Sequence, residues 1–97
     1  MLQIEFTQEA VDDLRSFRKY DQQRVIAGIE NQLPIQAAQP SRNRKQLRPN
    51  QLAEWELRIG AFRVFYDVDV TVGVARIVAV GYKHGDRLFV HGQEYEL

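Results

Sequence analysis

Residues 54–69, EWELRIGAFRVFYDVD, read as two strands joined by a tight turn at Gly60-Ala61. Trp55, Leu57 and Ile59 alternate with Glu54, Glu56 and Arg58, then Phe62, Val64, Tyr66 and Val68 alternate with Arg63, Phe65, Asp67 and Asp69. Alternation of period two marks a sheet with one buried face. A two-residue loop with glycine first fits a type II′ turn, whose twist matches that of the flanking strands. The hairpin register then sets Ile59 opposite Phe62, Leu57 opposite Val64 and Trp55 opposite Tyr66, all on the apolar face.

The same register sets Arg58 directly across from Arg63, and Glu54 across from Asp67. Like charges directly opposite on a sheet are destabilising. Two readings stand. In one, Glu56 lies diagonally between the arginines and balances them, and water does the rest. In the other, the arginines are held for an anion that joins them in the working complex.

Upstream of the hairpin, Leu2–Phe6 alternates as a short strand. Thr7 then serves as an N-cap, with Glu9 placed to complement the helix dipole. Ala10, Leu14 and Phe17 recur at helical spacing, which predicts a helix over residues 8–19. Asp21 caps a second helix over roughly 22–37, with Val25, Ile26, Ile29 and Leu33 as its buried stripe and Pro34 ending or kinking it. The short link implies an antiparallel helix pair covering the apolar face of the sheet. Between Ile35 and Asn50 the turn formers Pro40, Ser41, Asn43 and Pro49 mingle with bases, and Lys45–Arg48 forms a brief extended segment entering the sheet.

Downstream, a turn at 70–73 leads into a strand over Val74–Tyr82. Pairing Asp69 with Val74 sets Asp67 against Arg76, Tyr66 against Ile77, Val64 against Ala79 and Ala61 against Tyr82. The strand is apolar on both faces and therefore central. Lys83 and His84 follow at the sheet end that carries Arg58 and Arg63. Arg87–Val90 reads as a short strand, His91-Gly92 as a turn and Gln93–Leu97 as a returning strand or tail. The fold class is α+β: two N-terminal helices on a mainly antiparallel, twisted sheet, in one domain spanning residues 1–97. The face under the helices is expected to be lined by Trp55, Leu57, Ile59, Val64, Tyr66 and Ile77.

Thirteen bases balance thirteen acids. Their distribution is uneven. Residues 42–63 hold Arg42, Arg44, Lys45, Arg48, Arg58 and Arg63 against Glu54 and Glu56, an excess of four positive charges, while the flanking segments are each net negative by two. A local basic patch on a neutral chain still binds phosphate, with less long-range steering. No window approaches the ~18 apolar residues of a membrane span, and MLQIEFTQEA lacks a signal-peptide pattern, so a cytoplasmic protein is expected. The absence of cysteine removes disulfides and thiolate metal sites, and two histidines without ligand spacing offer no metal site. Neither a membrane partner nor a small-molecule cofactor is implied.

The order strand, two helices and antiparallel meander around WELRIGAFRVFYDVD resembles the RelE/ParE superfamily of toxins. The hallmark hairpin is carried here by Trp55, Leu57, Arg58, Gly60, Phe62, Arg63, Val64 and Tyr66, followed by Val80-Gly81. The resemblance covers almost the whole chain and implies a type II toxin silenced by a cognate antitoxin. In RelE-like members it further implies entry into the ribosomal A site and metal-independent mRNA cleavage, by 2′-OH attack on the adjacent phosphate. That chemistry needs a general base, a general acid and cations over the phosphate.

Carried over by position, Arg63 matches the arginine that holds the scissile phosphate, Arg48 matches a basic RNA contact before the hairpin, and Lys83 replaces the arginine after Val-Gly. His84, by its place in the register, completes the catalytic candidates Arg63, Lys83 and His84. The candidate RNA contacts are Lys45, Arg48, Arg58 and Phe89. Glu54 and Glu56 stand where the best-known member has lysines, and Phe89 takes the tyrosine position, where it can stack on a base but not transfer a proton. Glu56 as a base and Tyr82 as a proton donor remain alternatives, and His91 reads as structural. Two other functions compete with RNA cleavage: inhibition of DNA gyrase, as in ParE relatives, or an inactivated toxin that acts only through its antitoxin complex.

Overall fold

The computed structural model describes residues 1–97. Its elements, in chain order, are β1 (Gln3–Phe6), α1 (Gln8–Arg15), α2 (Lys19–Gln36), β2 (Arg44–Gln46), β3 (Trp55–Ile59), β4 (Phe62–Asp69), β5 (Val74–His84), β6 (Arg87–Val90) and β7 (Gln93–Tyr95). The strands form one sheet in the order β2-β3-β4-β5-β6-β7, with every neighbour antiparallel, and β1 joins β5 in parallel. β5 is therefore central, with β4 along one edge and β1 and β6 sharing the other end to end.

The β3–β4 register is the one the alternation dictates: Trp55↔Tyr66, Leu57↔Val64, Arg58↔Arg63 and Ile59↔Phe62. Gly60 takes φ +57°, a left-handed value, and Ala61 does not, as a type II′ turn requires. On the helix side Trp55, Leu57, Val64, Tyr66, Ala75, Ile77 and Val80 pack with Ala10 and Leu14 of α1 and with Val25, Ile29 and Leu33 of α2. The Trp55 and Tyr66 rings stack at 6.2 Å. Tyr66 is fully buried and donates its hydroxyl to the Ala37 carbonyl at 2.7 Å, and burial pushes that phenol well above its ordinary pKa. Ile59 is only half-buried at the margin of this core.

A bulge between Phe65 and Tyr66 changes the second half of the β4–β5 ladder. Tyr66 still faces Ile77 and Asp67 still faces Arg76, but beyond the shift Ala79 meets Phe65, Val80 meets Val64 and Tyr82 meets Phe62. The expected Val64–Ala79 and Ala61–Tyr82 pairs are thus corrected by one residue. Val80 now belongs to the helix-side core. Ala79 joins Phe65, Leu88, Val90 and Ala53 in a second, smaller core on the far face.

The helix limits also differ from the periodic reading. Thr7 caps α1 by accepting from Ala10 N at 3.2 Å, but α1 stops at Arg15, and Ser16 bonds back to the Asp13 carbonyl. α2 begins at Lys19 with Arg18 as its N-cap; Asp21 sits in the first turn and pairs with Arg18 at 3.1 Å instead of capping. Pro34 lies inside α2, which continues to Gln36. The Pro34 carbonyl accepts from Leu2 N at 2.7 Å, tying this turn to the segment that enters β1. No helix is long and apolar enough to cross a membrane.

Candidate functional site

The far face of the hairpin is divided by its charges. Lys45 on β2, Glu56 and Arg58 on β3, Arg63 on β4 and Lys83 on β5 line a cleft of about 570 Å³ near the hairpin turn. Asp86, Arg87 and Leu88 and the segment from Glu94 to Leu97 complete its wall. Strand pairing brings the cations together: Lys45 faces Glu56 across β2–β3, and Arg58 faces Arg63 across β3–β4. Gly81 pairs with Arg63, and a β-carbon there would run into the Phe89 carbonyl. Glycine after Val80 is what lets β6 pass this close, carrying the wall of the cleft against β5.

Arg63 is the unusual member. It is only 8% exposed, yet no carboxylate lies within ion-pair distance. One guanidinium nitrogen donates to the Gly60 carbonyl at 2.8 Å and the Phe62 carbonyl at 2.9 Å. Burial and then the facing Arg58 push its pKa below the ordinary arginine value, and Glu56 opposes them. The guanidinium remains charged, because arginine is not deprotonated in proteins. It is held in place by neutral carbonyls.

The opposite end of the hairpin solves its repulsion internally. Asp67 accepts from the Glu54 amide at 2.8 Å, and Glu54 accepts from the Val68 amide at 3.3 Å. Each carboxylate takes a backbone N–H of the other strand. Arg76, which faces Asp67, reaches instead to Glu5 at 3.5 Å.

The other site candidates separate. Arg48 follows β2 and lines a different groove with Glu54, Asp67 and Arg76. His84 pairs with Arg87 at the end of β5 and does not line the basic cleft. Phe89 faces Tyr82, their rings stacked at 5.3 Å, with the Arg87 guanidinium 5.4 Å from the Phe89 centroid; neither ring lines the cleft. Arg44, counted from the sequence with the basic cluster, is buried. It donates to the Gln39 carbonyl and to the side-chain oxygens of Gln32 and Gln36, so it fastens β2 to α2 and adds no surface charge.

Two groups passed over in the sequence prove well connected. Asp13 is buried on α1, accepts from Val80 N at 2.9 Å and meets His91 Nδ1 at 2.9 Å. Residues 78–81 of β5 pair with neither β1 nor β6, so α1 supplies the missing partners there, with Thr7 Oγ1 donating to the Val78 carbonyl at 3.3 Å. His91, in a left-handed conformation at φ +54°, is held by this contact, in keeping with a structural role. Tyr95, read from the sequence as part of a strand or loose tail, lies on β7 and lines the basic cleft.

Comparison with known proteins gives this arrangement a family. No curated protein sequence matches the chain. Among solved structures, the RelBE2 toxin–antitoxin complex from Mycobacterium tuberculosis contains a similar chain, with a TM-score of 0.71 and 23% identity over 84% of this chain and 91% of that one; the likeness is one of fold. The family model described as the ParE toxin of type II toxin–antitoxin systems, parDE, matches residues 4–87. With that match and the RelE/ParE toxin fold, the chain belongs to the ParE toxin family and is a type II toxin of the RelE/ParE superfamily.

Proposed function

We propose that the chain cleaves mRNA in the ribosomal A site, placing a phosphodiester in the basic cleft, and that a cognate antitoxin silences it. The observation that carries this reading is the Arg58–Arg63 pair: two cations held face to face, one of them desolvated, with no carboxylate in contact. Such an arrangement is unfavourable alone and favourable around a phosphate whose charge grows during reaction. Arg63 and Lys83 hold the non-bridging oxygens, and Arg58 and Lys45 hold the flanking strand. Glu56, in the same cleft, takes the proton of the attacking 2′-OH. His84, Arg48 and Phe89, outside the cleft, have no part in the step. An acidic antitoxin segment reaching into the cleft would occupy the cations that RNA needs.

The test is expression without antitoxin, followed by mapping of mRNA 5′ ends in translating cells. Cuts in frame with codons are expected. Glu54 and Glu56, where cationic side chains would strengthen RNA binding, favour a second reading, inhibition of DNA gyrase. Altered plasmid topology with intact transcripts would select it.

A further inference from the structure

The basic cleft is not uniformly basic. Its wall toward β6 and β7 carries Asp86, Glu94 and Glu96, so a nucleic-acid strand leaving Arg63 on that side meets acids. On the other side it adjoins a second cleft, of about 440 Å³, with which it shares Lys45, Glu56 and Arg58. There Arg42 joins Lys45 and Arg58; all three are exposed and free of ion pairs, and Glu56 is the single acid of the lining. Apart from Pro40, every lining residue is polar or charged. Such a surface suits a phosphate backbone and gives a protein segment no apolar anchor.

The turn that presents Arg42 is firmly held. Ser41 N donates to the Arg44 carbonyl at 2.9 Å, and Ser41 Oγ accepts from the Asn43 and Arg44 amides, each at 3.2 Å. Arg58 N donates to the Asn43 carbonyl at 2.8 Å, which ties the turn to β3, and the buried Arg44 side chain ties it to α2. The Ser41 hydroxyl accepts two amides but donates to nothing within the chain, so its proton is available to an anion.

Resting on the reading of the first cleft as an RNA-cleaving site, we propose that the second cleft binds a neighbouring phosphate of the same RNA strand, with Arg42 and the Ser41 hydroxyl as its contacts. Lys45 and Arg58, common to both clefts, bridge the two positions. Lys45 on β2 and Arg63 on β4 stand two strand spacings apart, about 10 Å, so the RNA crosses the hairpin toward the β2 edge and away from the acids of β6 and β7. A phosphate contact of this kind carries no sequence information; it fixes the register of the strand and so selects which linkage lies on Arg63.

The test is single-turnover cleavage on programmed ribosomes, using mRNAs that carry one uncharged methylphosphonate at successive linkages around the scissile bond. With the unsubstituted chain, the methylphosphonate at one neighbouring linkage should raise the half-saturating concentration by about 2–5-fold, the scale of one exposed charge contact. Arg42→Gln should cause the same rise on ordinary mRNA, add no further loss at that linkage and leave the saturating rate unchanged. Losses that add at every linkage would place Arg42 on ribosomal RNA and overturn the proposal. Parental cleavage by Arg42→Gln on every mRNA would overturn it too and leave the nuclease reading standing; weaker antitoxin binding by that variant would then assign the second cleft to the antitoxin. Absence of cleavage by the unsubstituted chain would remove the nuclease reading, and the proposal with it.

Discussion

At the open end of the β3–β4 hairpin Glu54, just before β3, lies beside Asp67; near the turn, four residues further along the chain, Arg58 faces Arg63. Both are like-charge pairs on the same face of the same two strands. The acidic pair is satisfied from within, since each carboxylate accepts an amide of the opposite strand. The basic pair has no such recourse. A guanidinium donates only, so Arg63 turns to two carbonyls and keeps its full charge, and Arg58 stays exposed beside it. Acids can use the backbone amides of the fold as counter-charge, whereas a guanidinium can reach only its neutral carbonyls. The first pair is settled within the sheet; the second is not, and the proposed function makes it the place for an anion.

The largest effect should come where the acidic solution is repeated in a buried setting. Asp13→Ala strands the Val80 amide in the gap between β1 and β6 and frees His91, and chemical denaturation should show a loss of about 1–3 kcal/mol. An Asp13→Ala chain as stable as its parent would break the claim that carboxylates here serve the backbone. Asp67→Ala removes the same service at a more exposed position and should cost about 0.5–1.5 kcal/mol. The sign reverses at the basic end. Arg58→Glu turns repulsion across the strands into attraction and should raise stability by about 0.2–1 kcal/mol while abolishing toxicity. A loss of stability in that variant would mean that Arg58 is already neutralised by its surroundings.

How far this was legible in the sequence follows from the same physics. The hairpin register, its turn and both like-charge pairs could be read because period two and Gly60 leave one pairing that buries Trp55, Leu57, Val64 and Tyr66 together. The bulge was not legible. VARIVAV on β5 is apolar in both phases, so a one-residue slip leaves an equally good pattern, and only the packing of Val80 under the helices decides it. Arg44 looked like its basic neighbours because Gln32 and Gln36, which bury it, stand 12 and 8 residues away. Asp13 looked like any exposed helical acid for the same reason, since its partners lie 67 and 78 residues downstream. Arg58, Arg63 and Lys83 could be placed at one end of the sheet from strand pairing alone. Which other side chains share the basic cleft could not be read, because that depends on how β6 and β7 fold back over β5, which brings Tyr95 to the cleft and leaves His84 and Phe89 outside it.

The claim that the arginine pair exists for an anion is tested most directly by Arg63→Met, which keeps the buried stem and removes the charge. Thermal stability and antitoxin-free toxicity are measured on the same variant. Removing the charge ends the repulsion by Arg58 and the cost of burying a cation, so the melting temperature should hold or rise. Activity should fall by about 10²–10³-fold, as when one contact to a developing negative charge is lost. A variant that melts lower and remains as toxic as its parent would contradict the claim and leave the basic cleft as charged surface.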